Sequence, residues 1–246
     1  MYRLVPLKVG MFDALPKQTC MYRMYREVTF EAPCIMWYLA GTQNNIVVDL
    51  GPPDPEQVLE TRGFAMRRSK EQQIPTALEA VGIRPDDVKI VILTHLHWDH
   101  AWGFHHFKNA RFIVQSEEVK YAVAPFPCHR MLYYDHSLGK PPFVNYLDRI
   151  IMIHGDYEVE EGVRTISIPS HSPGSQGVLV STEKGKYFIA GDAVGLYECW
   201  ETTPHVPSGI FNSLEDYYRT MIRIEQMADY VLPGHDPRVF DQPSYP

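Results

Sequence analysis

The sequence predicts an α/β protein in which two β-sheets pack together with helices on the outside. Three observations carry this expectation: short β-branched and aromatic runs recur along the chain, they fall into two series, and helical patterns punctuate each series. The 246 residues, 45% of them hydrophobic, can fill a sizeable core. No linker or internal repeat divides them, so a single domain over residues 1–246 is expected.

The first series opens with Leu4 to Val9, an alternating run flanked by Arg3 and carrying Lys8. Ile35 to Ala40 and Ile46 to Asp49 follow, and the Gly and Asn of Gly41-Thr42-Gln43-Asn44-Asn45 between them suit a hairpin turn. Pro75 to Val81 reads as a helix that opens with Pro and stops at Gly82. Val88 to Leu93 looks like a buried strand. After it come a strand at Arg111 to Gln115, a helix over Glu117 to Ala124 with acids in its first turn, and a strand at Arg149 to Ile153.

The second series comprises Val163 to Ile168, Val178 to Ser181, Tyr187 to Ala190 and Tyr230 to Leu232, with a hairpin turn at Glu183-Lys184-Gly185-Lys186. Ser213 caps a helix running to about Ala228, in which Leu214, Tyr217, Tyr218, Met221, Ile224 and Met227 recur at helical spacing and are expected in the core. Ala124 to Asn145, rich in Pro, Tyr and His, is too irregular for a core element and is expected to form a flap over a site.

Composition excludes some partners. The net charge is −7 and the Lys and Arg residues are scattered, which leaves no electrostatic footprint for nucleic acid. No long uncharged apolar run is present, so neither a secretory signal nor a membrane span is expected. The four cysteines, Cys20, Cys34, Cys128 and Cys199, form no C-x-x-C pair and read as reduced thiols of a cytoplasmic protein.

The chemistry concentrates after Val88 to Leu93, where Thr94, His95, His97, Asp99 and His100 follow directly. Neutral imidazoles suit zinc and its neighbours, and a carboxylate adds a harder ligand and negative charge. Three histidines and an aspartate exceed what one tetrahedral ion with an open position can use, which points to two ions. Three further strand ends offer one ligand each: His171 in Ile168-Pro169-Ser170-His171-Ser172-Pro173-Gly174, Asp192 after Gly191, and His235 after Pro233-Gly234.

On these residues the sequence resembles the metallo-β-lactamase superfamily, whose H-x-H-x-D-H signature stands here as His95-Leu96-His97-Trp98-Asp99-His100. The resemblance implies an αββα sandwich with two metal ions at one edge of the sheets. It assigns His95, His97 and His171 to the first ion, Asp99, His100 and His235 to the second, and Asp192 to both, with a shared hydroxide as nucleophile. Zinc suits this set, with manganese, cobalt and iron as alternatives. Within the superfamily the chain is most similar to N-acyl homoserine lactonases, through stretches such as Val47-Val48-Asp49-Leu50-Gly51, His171-Ser172-Pro173-Gly174-Ser175-Gln176 and Gly234-His235-Asp236.

That group implies a hydrolase that opens a lactone ring, with Asp99 carrying the proton to the departing ring oxygen. Its members place a tyrosine three residues after the bridging aspartate. Here that position is Gly195, and Tyr197 is expected to supply the hydroxyl instead. Met21 from Pro16 to Pro33 and Trp98 are expected to contact the small-molecule substrate, joined by Trp200 as a wall and by Arg23 or Arg26 for a carboxylate; the same segment is expected alternatively to line a homodimer interface. Rival readings are hydrolysis of another ester, thioester or amide on the same site, and iron-dependent redox chemistry. His105, His106, His129, His136, His154 and His205 are expected to be structural or surface residues, with His129, His136 and His205 the candidates for a substrate loop.

Overall fold

The computed structural model describes residues 2–134 and 140–246. The first sheet is built from β1 (Arg3–Pro16), β2 (Thr29–Ala40), β3 (Ile46–Val48), β4 (Met66–Arg67), β5 (Ile90–Ile92), β6 (Arg111–Gln115) and β7 (Ile150–Ile153), in the order β4-β1-β2-β3-β5-β6-β7. The second contains β8 (Tyr157–Glu160), β9 (Val163–Ser167), β10 (Gln176–Thr182), β11 (Gly185–Gly191) and β12 (Tyr230–Pro233), in the order β12-β11-β10-β9-β8. Both sheets are mixed. Both expected hairpins are present, since β2 pairs antiparallel with β3 and β10 with β11.

Alternation on β2 explains how the layers meet. Ile35, Trp37 and Leu39 share a buried cluster with Val178, Val180, Ile189 and Leu232 of the second sheet, so this face is the interior between the sheets. Cys34, Met36 and Tyr38 point the other way, into a larger cluster with Val58, Leu78, Val119 and Tyr217 from the helices. The helices are α1 (Pro55–Arg62), α2 (Ile74–Glu79), α3 (Ser116–Val123), α4 (Arg130–Tyr133), α5 (Tyr197–Glu201) and α6 (Leu214–Met227). They flank the two sheets, giving the αββα sandwich.

The expected helices at Pro75, Glu117 and Ser213 form as α2, α3 and α6, and Ser213 Oγ accepts the Asp216 N–H at 3.1 Å as an N-cap. Within α6, Tyr217, Met221 and Ile224 are buried, but Leu214 and Tyr218 face outward beside Ile222, so that part of the expected core stripe is surface. The segment Ala124 to Asn145 folds in part as α4 and short turns. Its central residues, His136 among them, lie outside the described residues. No helix among the described residues is long and apolar enough to cross a membrane.

Candidate metal centre

The ligand-bearing loops leave strands that converge at one edge of the sandwich. His95, His97, Asp99 and His100 follow β5, His171 follows β9, Asp192 follows β11 and His235 follows β12. Parallel pairing sets Gly191 of β11 opposite Pro233 of β12, so Asp192 and His235 leave the sheet side by side. Gly234 makes this approach possible, because a Cβ there would sit 2.6 Å from Asp192 Oδ1. The two sheets are tied at the same edge, where the Gln176 N–H donates to the Thr94 carbonyl at 2.8 Å and Gln176 Nε2 to that of Leu93 at 2.8 Å.

The seven side chains sort into two groups, His95 with His97 and His171, and Asp99 with His100, Asp192 and His235. Within each group the potential ligand atoms lie within 4.8 Å of one another. Asp192 stands between them: its Oδ2 is 3.5 Å from His171 Nε2, while its Oδ1 is 3.1 Å from His100 Nε2 and 3.2 Å from His235 Nε2. His97 Nδ1 and His171 Nε2 are 2.9 Å apart. His95 Nε2, His97 Nε2 and Asp192 Oδ1 are buried without a hydrogen-bond partner. Buried polar atoms left open in this way are costly unless something else satisfies them, and the donor set suits one divalent cation per group.

The imidazoles are aimed by contacts on their far sides. His100 Nδ1 lies 2.8 Å from Asp49 Oδ2, His171 Nδ1 2.8 Å from the Ile210 carbonyl and His235 Nδ1 3.0 Å from the Pro33 carbonyl. Donation from Nδ1 leaves Nε2 with its lone pair turned inward. Asp49 itself is held at φ 62 and accepts hydrogen bonds from the Thr94 N–H and hydroxyl at 2.8 Å each.

Electrostatics divide the site. Burial first, and then neighbouring imidazoles, hold His95 and His97 well below the ordinary histidine value, which keeps them neutral and able to ligate. Burial also works against the cationic form of His100, but Asp192, Asp99 and Asp49 outweigh it and hold that group well above the usual range. Asp192 stays far below the carboxylate range despite its burial, because His235 and His100 face it.

Two buried carboxylates absent from the expected set support these loops. Asp49 is one. Glu118, on α3 and fully buried, is the other: it accepts the Leu96 N–H at 2.9 Å, the Ser172 hydroxyl at 2.6 Å, the Gly174 N–H at 3.2 Å and the Tyr133 hydroxyl at 3.2 Å. One carboxylate therefore fastens the loop of His95 and His97 to that of His171. In sequence Glu118 looks like an ordinary first-turn acid, and only the approach of the two loops distinguishes it.

A cleft of about 530 Å³ opens over the ligands, with Asp99, His97, Asp192 and His235 at its floor and Phe12, Phe64, Trp98, Leu132 and Ile210 in its walls. Trp98 is thus where the sequence places it, and the expected flap contributes Leu132. Three expected contacts are not brought here. Met21 is wholly buried in the core, and its neighbours Thr19 and Cys20 line the cleft instead. Tyr197 points into a separate groove toward the C-terminus, which Tyr245 also lines, and lies under the Arg238 guanidinium at 4.5 Å. The Tyr197 N–H is fixed to Asp236 Oδ2 at 2.8 Å, so starting α5 there turns the ring away. Trp200 stacks at 4.3 Å on His205, which pairs with Glu225, and His129 meets the Tyr121 hydroxyl at 2.8 Å; neither histidine lines the cleft. Gly195 does line the cleft, and a Cβ on it would meet Cys20 Cβ at 3.1 Å.

A sandwich of two mixed sheets that gathers two ligand groups at one edge defines an αββα metal-site protein. The chain belongs to the metallo-β-lactamase superfamily, whose family model matches residues 31–237. It is 32% identical over 214 residues to the N-acyl homoserine lactonase AiiA of Bacillus thuringiensis subsp. kurstaki, a match covering 81% of this chain and 80% of that protein. It superimposes on a B. thuringiensis AiiA variant with N-decanoyl-L-homoserine bound at the active site, with a TM-score of 0.78 at 26% identity over 98% of both chains. An N-acyl homoserine lactone hydrolase with the product N-hexanoyl-L-homoserine at its catalytic metal centre gives the same TM-score at 25% identity, again over 98% of each chain.

Proposed function

We propose that this chain, acting as one domain, is a metal-dependent hydrolase that opens the ring of an N-acyl homoserine lactone or a closely similar lactone. The observation that carries the reading is the pair of ligand groups, with three buried atoms left unsatisfied, at the floor of an apolar-walled cleft. His95, His97 and His171 would hold one divalent cation, Asp99, His100 and His235 a second, and Asp192 both, with zinc the ion that best suits a set of five imidazoles and two carboxylates. When bound, two such cations supply hydroxide near neutral pH and polarise a carbonyl.

The chain's own groups do the rest. Phe64, Trp98 and Leu132 exclude water and take up the apolar parts of the substrate, while Thr19 presents a hydroxyl. Asp99, with its side chain 14% exposed and its Oδ2 3.7 Å from His235 Nε2, reaches both the floor and solvent. That position suits it to take a proton from the attacking water and return it to the departing ring oxygen, a role worth about 100- to 10,000-fold in rate.

Among partners we include a second copy of the chain, for which the exposed row Leu214, Tyr218 and Ile222 on α6 offers an apolar face; sedimentation checks it. The four free thiols, with Cys128 exposed, favour the cytoplasm.

Turnover of lactones against thioesters by zinc-loaded protein tests the main reading, and high activity on thioesters alone would replace it. Asp192→Ala is expected to lose both ions by metal analysis and to lower kcat/KM at least 1,000-fold, on the order of what one major electrostatic contributor supplies. Retention of two ions and full activity would remove Asp192 from its assignment.

A further inference from the structure

The cleft over the ligands shares part of its wall with a second groove. Thr19, Phe64 and Ile210 line the cleft and also line this outer groove of about 890 Å³, whose other boundaries are Gln18, Tyr22, Arg23, Arg26 and Gly209. The two spaces therefore share a wall. Every charged side chain on the outer groove is an arginine, in a chain whose net charge is −7. Neither Arg23 nor Arg26 makes a hydrogen bond or ion pair among the described residues, whereas most other arginines are engaged with carboxylates or carbonyls.

The segment that carries them is anchored. The Tyr22 N–H donates to the Pro207 carbonyl at 2.7 Å, the Gly209 N–H to that of Thr19 at 2.9 Å, and the Tyr22 ring packs edge-on against Phe211 at 4.9 Å. The loop on the other side, which supplies Pro207 and Gly209, also supplies Ser208, whose hydroxyl lies 3.3 Å from His171 Nδ1. Arg23 is held at φ 60, a left-handed conformation uncommon for a residue with a Cβ. The backbone that leads into Arg23 and Arg26 is thus anchored to a loop that reaches the metal centre.

We propose that the groove takes the non-reacting arm of the substrate and that Arg23 and Arg26 select an arm ending in a carboxylate. The inference rests on the lactone reading above and specifies its substrate class: a lactone with an apolar connecting stretch along Phe64 and Ile210 and an anionic terminus. A guanidinium presents several donors in a planar fork matched to a carboxylate, and an arm ending in a methyl group would leave both forks unused.

Two measurements separate this inference from the reading beneath it. The first is the affinity, by calorimetry, of two lactam analogues that resist ring opening, identical except that the acyl arm ends in a methyl group or a carboxylate. Wild-type protein is expected to favour the carboxylate-ended lactam about tenfold, the scale of two partly exposed ion pairs. The Arg23→Ala, Arg26→Ala double variant is expected to bring the ratio near one. Arg111→Ala, which removes an exposed arginine outside the groove, is expected to keep it. About 1 M salt should shrink the wild-type ratio, because the Debye length falls to about 3 Å. Equal affinities in wild-type protein, including no measurable affinity for either lactam, or a ratio unmoved in the double variant, overturn the arginine assignment. The second measurement is turnover of the corresponding lactones by zinc-loaded protein. Hydrolysis of neither overturns the lactonase reading, whatever the lactam affinities.

Discussion

Glu118 shows what a single side chain contributes here. Four donors from three segments converge on it, and burial pushes its carboxyl up while those hydrogen bonds pull it back. Glu118→Gln keeps the shape but replaces one acceptor oxygen with a donor, which sets N–H against N–H or O–H. The expected cost is about 2–3 kcal/mol in denaturant unfolding, with zinc affinity lowered about 10- to 100-fold because the His97 and His171 loops lose their common anchor. Unchanged stability and metal content would mean that the loops hold themselves. His106 gives a pH prediction: burial first, then His105 and Arg68, push it down to about 4. An unfolded histidine titrates near 6.5, so between about 6.5 and 4 the unfolded chain takes a proton that the folded one refuses. The folded state is therefore undercut as pH falls through that window. Thermal unfolding of wild-type protein should lose more stability from pH 7 to 4.5 than His106→Gln does, and parallel curves would contradict the assignment. All seven candidate ligands that the structure gathers are legible in sequence because each follows a strand in a recognisable pattern. Met21 and Tyr197 could not be placed, since the direction of a side chain depends on neighbours, here the core around Met21 and Tyr245 beside Tyr197.

At the level of elements, legibility followed the strength of the apolar pattern. Arg111 to Gln115 matches β6, and Ser213 caps α6 as expected, because a β-branched run and a cap with a periodic stripe are local signals. β1 and β2 are far longer than Leu4 to Val9 and Ile35 to Ala40 suggest. Their outer halves pair with each other across Met11, Phe12, Ala32 and Pro33 rather than through any alternation of their own. β4 spans two residues and exists only as a partner for β1. α1 is a different case: Pro55 at its start and Gly63 at φ 74 after its end are proper boundary signals. Between them Val58 is buried while Leu59 is 58% exposed, so no apolar stripe announces the helix. β8, whose Tyr157 and Glu158 are exposed, lacks a signal for the same reason.

For the whole molecule, the two series of strands gave the two sheets, but how the sheets are locked together is a property of the site. Apart from the shared apolar interior, they meet at the edge where β5 supplies His95, His97, Asp99 and His100 and the second sheet supplies His171, Asp192 and His235. Each proposed ion would draw ligands from both sheets, so metal binding acts on the native state as a cross-link that the unfolded chain cannot form. At ion concentrations about 100-fold above Kd each ion contributes about 2.7 kcal/mol, so the pair contributes about 5.4 kcal/mol, equivalent to roughly 10–20 °C in Tm for a chain of this size. Stripping the ions with a chelator is expected to lower Tm by that amount, and readding zinc to restore it in proportion to the logarithm of its concentration. Hydrogen exchange should localise the loss. Residues 168–176 and 233–237 should exchange faster without metal, whereas the long β1–β2 ladder, which depends on its own pairing, should keep its protection. A Tm indifferent to chelation, with metal analysis proving the ions gone, would show that the apolar interior and the hydrogen bonds from Gln176 hold the sheets without them.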